Sequence, residues 1–266
     1  MRRLAAFLLM FALAACSTGG ALDDLAPTSS VLPSAGGSGP RFADRDPFDW
    51  QGAKPWQYSV HGTDVSKYQR SVDWTTKRDN RIKFVFIKAT EGKDVVDDKF
   101  AANWRGAYNA GLASSPYHFY YFCSTADAQA DWFIANVPKA AVFLPPVLDV
   151  EWNPDSKTCT TRPSKEEIIP ELQHFMDRLE AHYGKRPIIY TSVDFHRDIL
   201  VGEFDKYHFW VRSVANHPRN VYDDRRWAFW QYTSTGVIPG IDGKTDINVF
   251  AGSAKNWRNW VAAVSD

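Results

Sequence analysis

The sequence is short of several things at once. Its 266 residues carry 31 basic and 31 acidic side chains, so there is no surplus of positive charge to neutralise a phosphate backbone. A nucleic-acid partner therefore has no overall electrostatic basis. The three cysteines form no CxxC pair and the seven histidines no HExxH pattern, which gives no spacing for a metal centre. No internal repeat of fixed period is present. No apolar run reaches the roughly 18 residues that a permanent membrane-spanning helix requires. Aromatic rings are what the chain has in quantity: 11 Trp, 11 Tyr and 17 Phe. That is more than a core alone usually needs, and flat faces with polar tips also line ligand clefts, including those for sugars.

The apolar run from Leu4 to Ala15 follows Arg2 and Arg3 and has the length of a secretory h-region, so residues 1–15 are set aside as a signal segment. Leu13-Ala14-Ala15-Cys16 resembles a bacterial lipobox, which implies a lipidated Cys16 at the mature N-terminus. An ordinary signal cut after Ala15 is the alternative. By analogy with such lipoproteins, Ser17 permits transfer to the outer membrane, facing the periplasm. Loss of Arg2 and Arg3 leaves 29 basic against 31 acidic residues, a formal charge of −2. Residues 16–55 are rich in Ser, Gly, Pro, Asp and Ala and bury too little apolar surface to offset their ordering entropy. They are read as a flexible tether, with a packed arm around Phe48 to Trp56 as the alternative. Export to an oxidising compartment makes a Cys123–Cys159 disulfide the leading expectation for the two remaining cysteines.

From residue 56 to 266, short apolar runs alternate with patterns of helical period, as in a parallel sheet with crossover helices. Strands are expected at Tyr58 to Gly62, Phe84 to Lys88, Ser115 to Phe122, Val142 to Val150, Pro187 to Thr191, His208 to Arg212 and Ala228 to Tyr232. The clearest helix spans about Lys165 to His182, with Ser164 and Glu167 as a capping box and Gly184 as its C-terminal stop. Pro170 inside it predicts a kink or a later start. Weaker helices are expected at Asp97 to Ala110, Ala126 to Asn136 and Val193 to Leu200. Seven or so such units in about 210 residues fit one α/β fold, a single TIM-like barrel, better than two domains.

In such barrels the chemistry sits where strands end. There stand Asp64, Glu91, Asp246, and the pair Asp149 and Glu151 closing the run from Pro145 to Trp152. On a strand, i and i+2 share a face about 6 to 7 Å apart at Cα, so the two carboxylates converge on one spot. Like charges held together raise one pKa and place a proton donor beside an anion, which glycosidic cleavage needs. A solvated rim or a metal site would also use Asp-x-Glu, Asp64 also fits a turn cap and Asp246 an Asx-turn. His118, in mid-strand, reads as a satisfied core or supporting residue.

Taken in order, His61 to Gln69, Phe86 to Gly92, Tyr117 to Tyr120, Ala128 to Ala130 with Phe133, Pro146 to Glu151, Pro187 to Thr191, Trp230 to Tyr232, and Gly240-Ile241 with Asp246 to Asn248 resemble glycoside hydrolase family 25, the Chalaropsis-type lysozymes. The resemblance covers about His61 to Gly252. It implies an irregular (β/α) barrel that cleaves the β-1,4 bond between N-acetylmuramic acid and N-acetylglucosamine in peptidoglycan with retention, without metal or cofactor. It further implies Glu151 as general acid/base, Asp149 as the carboxylate assisting at the reacting sugar, and Asp64 and Asp246 as the other acids of the cleft. Tyr120, Tyr190, Trp210, Gln231, Tyr232 and Glu91 are the expected substrate-binding residues. Peptidoglycan glycan strands, and a membrane reached through the lipid anchor, are the expected partners.

One departure stands out. Arg212 follows Trp210-Val211 where the family commonly has a small residue, which would narrow the cleft or bind a peptide-stem carboxylate. A glycan-binding protein that lost the reaction, and a hydrolase of another polysaccharide on the same barrel, are the competing functional readings.

Overall fold

The computed structural model describes residues 39–265, apart from residues 70 and 224. The expected signal segment, Cys16 and the tether up to residue 38 lie outside the described residues. Ten strands form one sheet: β1 (Ala43–Asp44), β2 (His61–Val65), β3 (Ile82–Glu91), β4 (Val95–Val96), β5 (Ala113–Phe119), β6 (Val147–Val150), β7 (Ile188–Thr191), β8 (His208–Arg212), β9 (Phe229–Val237) and β10 (Thr245–Phe250). Pairing is parallel from β2 through β3, β5, β6, β7 and β8 to β9. β10 then runs antiparallel to both β9 and β2 and closes an eight-stranded barrel. The reversal puts the start of β10 at the same rim as the ends of the other seven strands.

Alternation along each strand divides the core in two. Inside the barrel lie Phe84 and Phe86 of β3, Tyr117 of β5, Val147 of β6, Tyr190 of β7, Trp210 of β8, Phe229 of β9 and Phe250 of β10. Gly62 on β2 makes room for this stack, because a Cβ there would stand 2.3 Å from the Phe84 ring. Trp257 and Trp260 of the Ala254–Ser265 helix join it from the other end: both rings pack on Phe229 and Phe250, and Trp257 also on Phe84. The larger cluster lies outside the strands, where Leu148 and Val150 of β6 meet Leu172, Phe175, Met176 and Leu179 of the Lys165–Tyr183 helix.

That helix begins at Lys165 with the Ser164/Glu167 capping box formed and ends at Gly184 in the left-handed conformation. It continues unbroken through Pro170, so the later start expected from the proline does not occur. The missing hydrogen bond falls on the carbonyl of Glu166, an exposed residue that water can reach. The Trp74–Asp79 helix carries a surprise of another kind. Lys77 is fully buried, and its Nζ has no hydrogen-bond partner among the described residues and lies 5.0 Å from the Trp74 ring centroid.

β10 was not among the expected strands, and the packed chain begins before residue 56. β1 pairs with β9, and Trp50 is buried edge-on against Trp230 with centroids 5.0 Å apart. Phe42 meets His61, which in turn meets Tyr232. The hairpin of β9 and β10 has no crossover helix outside it, and this N-terminal arm covers that face instead.

Candidate active site

At the rim, β2 ends in Asp64, β3 in Lys88 and Glu91, β6 in Asp149 with Glu151 just beyond, β8 in Arg212, and β10 starts at Asp246. Val147 faces the barrel interior while Leu148, Val150 and Trp152 pack outside it. Asp149 and Glu151 therefore share the inward face, as the i, i+2 spacing predicts. Asp246 stands directly across from Asp64 in the antiparallel register. Four carboxyl groups thus converge on one end of the barrel.

Beneath them runs a chain of hydrogen bonds. Trp210 Nε1 donates to Asn248 Oδ1 at 2.7 Å, and Asn248 Nδ2 donates to Asp64 Oδ2 at 2.8 Å. From the other side, Tyr190 OH donates to Gln231 Oε1 at 3.0 Å, and Gln231 Nε2 donates to the same Asp64 oxygen at 3.0 Å. Asn248 and Gln231 are cross-strand partners, so the β9–β10 hairpin presents both amides together.

The dry stack below raises the proton affinity of the acids. Burial pushes Asp64 up to about 6, although Asn248, Gln231, Lys77 and Arg212 all pull it down. Burial, reinforced by the neighbouring Glu151, holds Asp149 well above the carboxylate range. Its Oδ1 has no hydrogen-bond partner among the described residues. Glu151 is raised by burial against the opposing field of Arg212. Asp246 is well raised by burial and then by Asp64. Glu91 goes the other way. Burial opposes its ionisation, yet Lys88 Nζ at 2.6 Å and a short hydrogen bond from the Tyr121 hydroxyl outweigh that and hold it low.

Of the expected binding residues, Tyr190, Trp210 and Gln231 lie in the network under Asp64, and Glu91 at the rim. Tyr120 and Tyr232 do not face the cleft. Both point outward, Tyr120 against Phe175 and Tyr232 towards the N-terminal arm, because each sits one residue out of step with the inward face of its strand. His118 is a supporting residue. Its ring nitrogens meet Thr90 Oγ1 at 2.7 Å and Gln129 Oε1 at 3.1 Å. Burial lowers its pKa to about 4, so the ring is neutral. The amide oxygen only accepts, so Nε2 carries the proton and Thr90 donates to Nδ1. Gln129 also ties down both backbone groups of Tyr121. Cys123 and Cys159 are bonded, with Cα atoms 5.8 Å apart, and join the loop after Tyr121 to the loop after Glu151. Among the described residues no group of His, Cys, Asp and Glu is placed to hold a metal ion.

The model of glycosyl hydrolases family 25 matches residues 63–241, a span that holds the rim acids Asp64, Asp149 and Glu151. The chain belongs to that family. It is a glycoside hydrolase by descent as well as by geometry. The family 25 glycosyl hydrolase from Bacillus anthracis has the same fold, with a TM-score of 0.72 at 34% identity over 82% of this chain and 99% of that one. Lysozyme M1 of Streptomyces globisporus is 34% identical over 227 residues, 82% of this chain and 74% of the lysozyme. The uncharacterized protein YegX of Escherichia coli K12 is 34% identical over 218 residues, 80% of this chain and 77% of YegX.

Proposed function

We propose that this family 25 enzyme is a lysozyme that cleaves the N-acetylmuramic acid to N-acetylglucosamine β-1,4 bond of peptidoglycan with retention of configuration. The observation that carries this is the pair of inward-facing acids at the end of β6, both held towards the protonated state by burial. Glu151, half-buried and less strongly raised than its neighbour, protonates the leaving oxygen and later takes a proton from the attacking water. Asp149 is a poor nucleophile, because burial beside Glu151 resists its ionisation. With Oδ1 unengaged, it is suited instead to orient the substrate's own acetamido group, whose oxygen then forms the first bond to the anomeric carbon. That route retains configuration, as would an enzyme nucleophile. The Chalaropsis-type specificity belongs to the same proposal.

The segment from Arg2 to Cys16 supports an exported lipoprotein, held by a lipid at Cys16 on the outer membrane and facing the periplasm, where the anchor raises local concentration at the wall. The enzymatic test is digestion of purified peptidoglycan by signal-free protein, with borohydride reduction of the products. Muramitol ends are expected, and glucosaminitol ends would overturn the bond assignment. Proton NMR during the digestion should show the retained anomer first. Glu151→Gln should bind peptidoglycan as the wild type does while hydrolysis falls by about a thousandfold or more.

A further inference from the structure

Lys88 and Arg212 are cations carried to the rim by β3 and β8, and they are not equivalent. Lys88 is committed, with Glu91 at 2.6 Å. Arg212 is not: although β2, β6 and β10 bring Asp64, Asp149, Glu151 and Asp246 to the same rim, its guanidinium makes no hydrogen bond or ion pair with any described residue. It lies two residues beyond Trp210, whose ring stacks on Phe86 inside the barrel, so it shares the inward face at the cleft end of β8. Its backbone is pinned. Its carbonyl accepts from Tyr222 OH at 2.7 Å, the same hydroxyl lies 3.0 Å from the carbonyl of Thr191, and Arg212 pairs with Gln231 across to β9.

From this geometry we infer that Arg212 is a carboxylate-recognising residue of the cleft, a two-pronged donor for an anionic group on the glycan substrate. A resident counter-ion would be expected to touch the charge it balances, and this guanidinium touches none. Burial raises the proton affinity of the neighbouring Asp64, Asp149 and Asp246, which weakens their competition for it. A fixed strand end presenting a free planar fork at a half-exposed rim is suited to two parallel hydrogen bonds with a carboxylate. The inference rests on the peptidoglycan reading, whose strands supply carboxylates from two sources: the lactyl group where the stem is absent, and the stem peptide where it is present.

The test is steady-state kinetics of wild type, Arg212→Gln and Arg212→Lys on stemmed glycan chains and on amidase-stripped strands, each also with its carboxylates converted to neutral amides. Arg212→Gln should raise KM about tenfold to a hundredfold on the recognised anionic substrate relative to its neutral counterpart, and, with the field of Arg212 gone from Glu151, move the limb of the pH profile set by Glu151 upward by the same amount on both substrates. Arg212→Lys should recover part of the loss. An effect confined to stemmed chains assigns the stem carboxylate, and one confined to stripped strands the lactyl carboxylate. An equal change of KM on charged and neutral strands, or a displaced pH profile with KM constant on both, would overturn the inference, since each leaves Arg212 acting on the acids alone. Should Arg212→Gln fail to fold, the wild type alone decides, because identical KM values before and after amidation of both substrates also overturn it. Muramitol ends alongside that indifference would leave the lysozyme reading standing and remove only the role of Arg212.

Discussion

Asp246 and Asp64 are direct cross-strand partners on β10 and β2, two acids facing each other above a floor of aromatic rings. Among the described residues neither has a cation in contact. Asp64 keeps its proton to about 6, whereas in the unfolded chain it would lose it near 4. Its contribution to stability is thus fully present below about pH 4 and lost as the pH rises through about 6, an effect of up to about 3 kcal/mol. Asp64→Asn, which cannot ionise, should show a flatter fall in unfolding free energy between pH 4 and 7 than the wild type, measured by urea denaturation. Parallel profiles would contradict the assignment.

Asn248 serves two partners at once, accepting from Trp210 and donating to Asp64. Asn248→Ala leaves a buried indole N–H unpaired and takes one of two amide donors from a buried carboxyl. A loss of about 2 to 4 kcal/mol is expected. Asp64 should at the same time titrate higher, because a bond to its charged form is gone, and carboxyl NMR of the labelled protein would register the move.

Lys77 is buried with no acceptor for its amine among the described residues, and burial drives its pKa well below the usual value. The folded chain binds a proton there less readily than the unfolded chain does, so folding is opposed at neutral pH. Lys77→Met should stabilise the protein by about 1 to 3 kcal/mol at pH 7 in calorimetry. The gain should shrink as pH climbs towards about 10, where the unfolded lysine also becomes neutral.

The Cys123–Cys159 bond joins the loops that follow β5 and β6. Replacing both cysteines by serine should lower stability by about 2 to 4 kcal/mol. Hydrogen exchange should quicken in residues 153–161, just beyond Glu151, more than in the strands.

Much of this was legible in the chain because period and chemistry agreed. Ser164, Glu167 and Gly184 bounded the long helix, and Asp149 and Glu151 announced a shared face by spacing alone. Other features were hidden, the Trp74–Asp79 and Ala254–Ser265 helices among them. β10 carries its polar residues, Asp246 and Asn248, on the inward side, so it lacks the buried-apolar signature of a strand even though Ile247 and Val249 alternate with them. The arm that covers β9 and β10 has too few apolar residues to register as structure, and its Trp50 acquires meaning only against Trp230. Tyr120 and Tyr232 were misplaced because a one-residue offset in register exchanges cleft for outer core. Arg212 was visible as a departure, and its lack of contacts required coordinates.

The amides that grip Asp64 sit opposite each other on a single hairpin, whereas Asp64 itself lies more than 160 residues upstream. The grip can assemble by short-range contact in a nascent chain, and its acid must arrive over a long loop, the slower kind of encounter. Docking β2 against β10 is then the event that strips water from the carboxyl. An acidic medium, by delivering that group already neutral, would ease the closing of the cylinder itself.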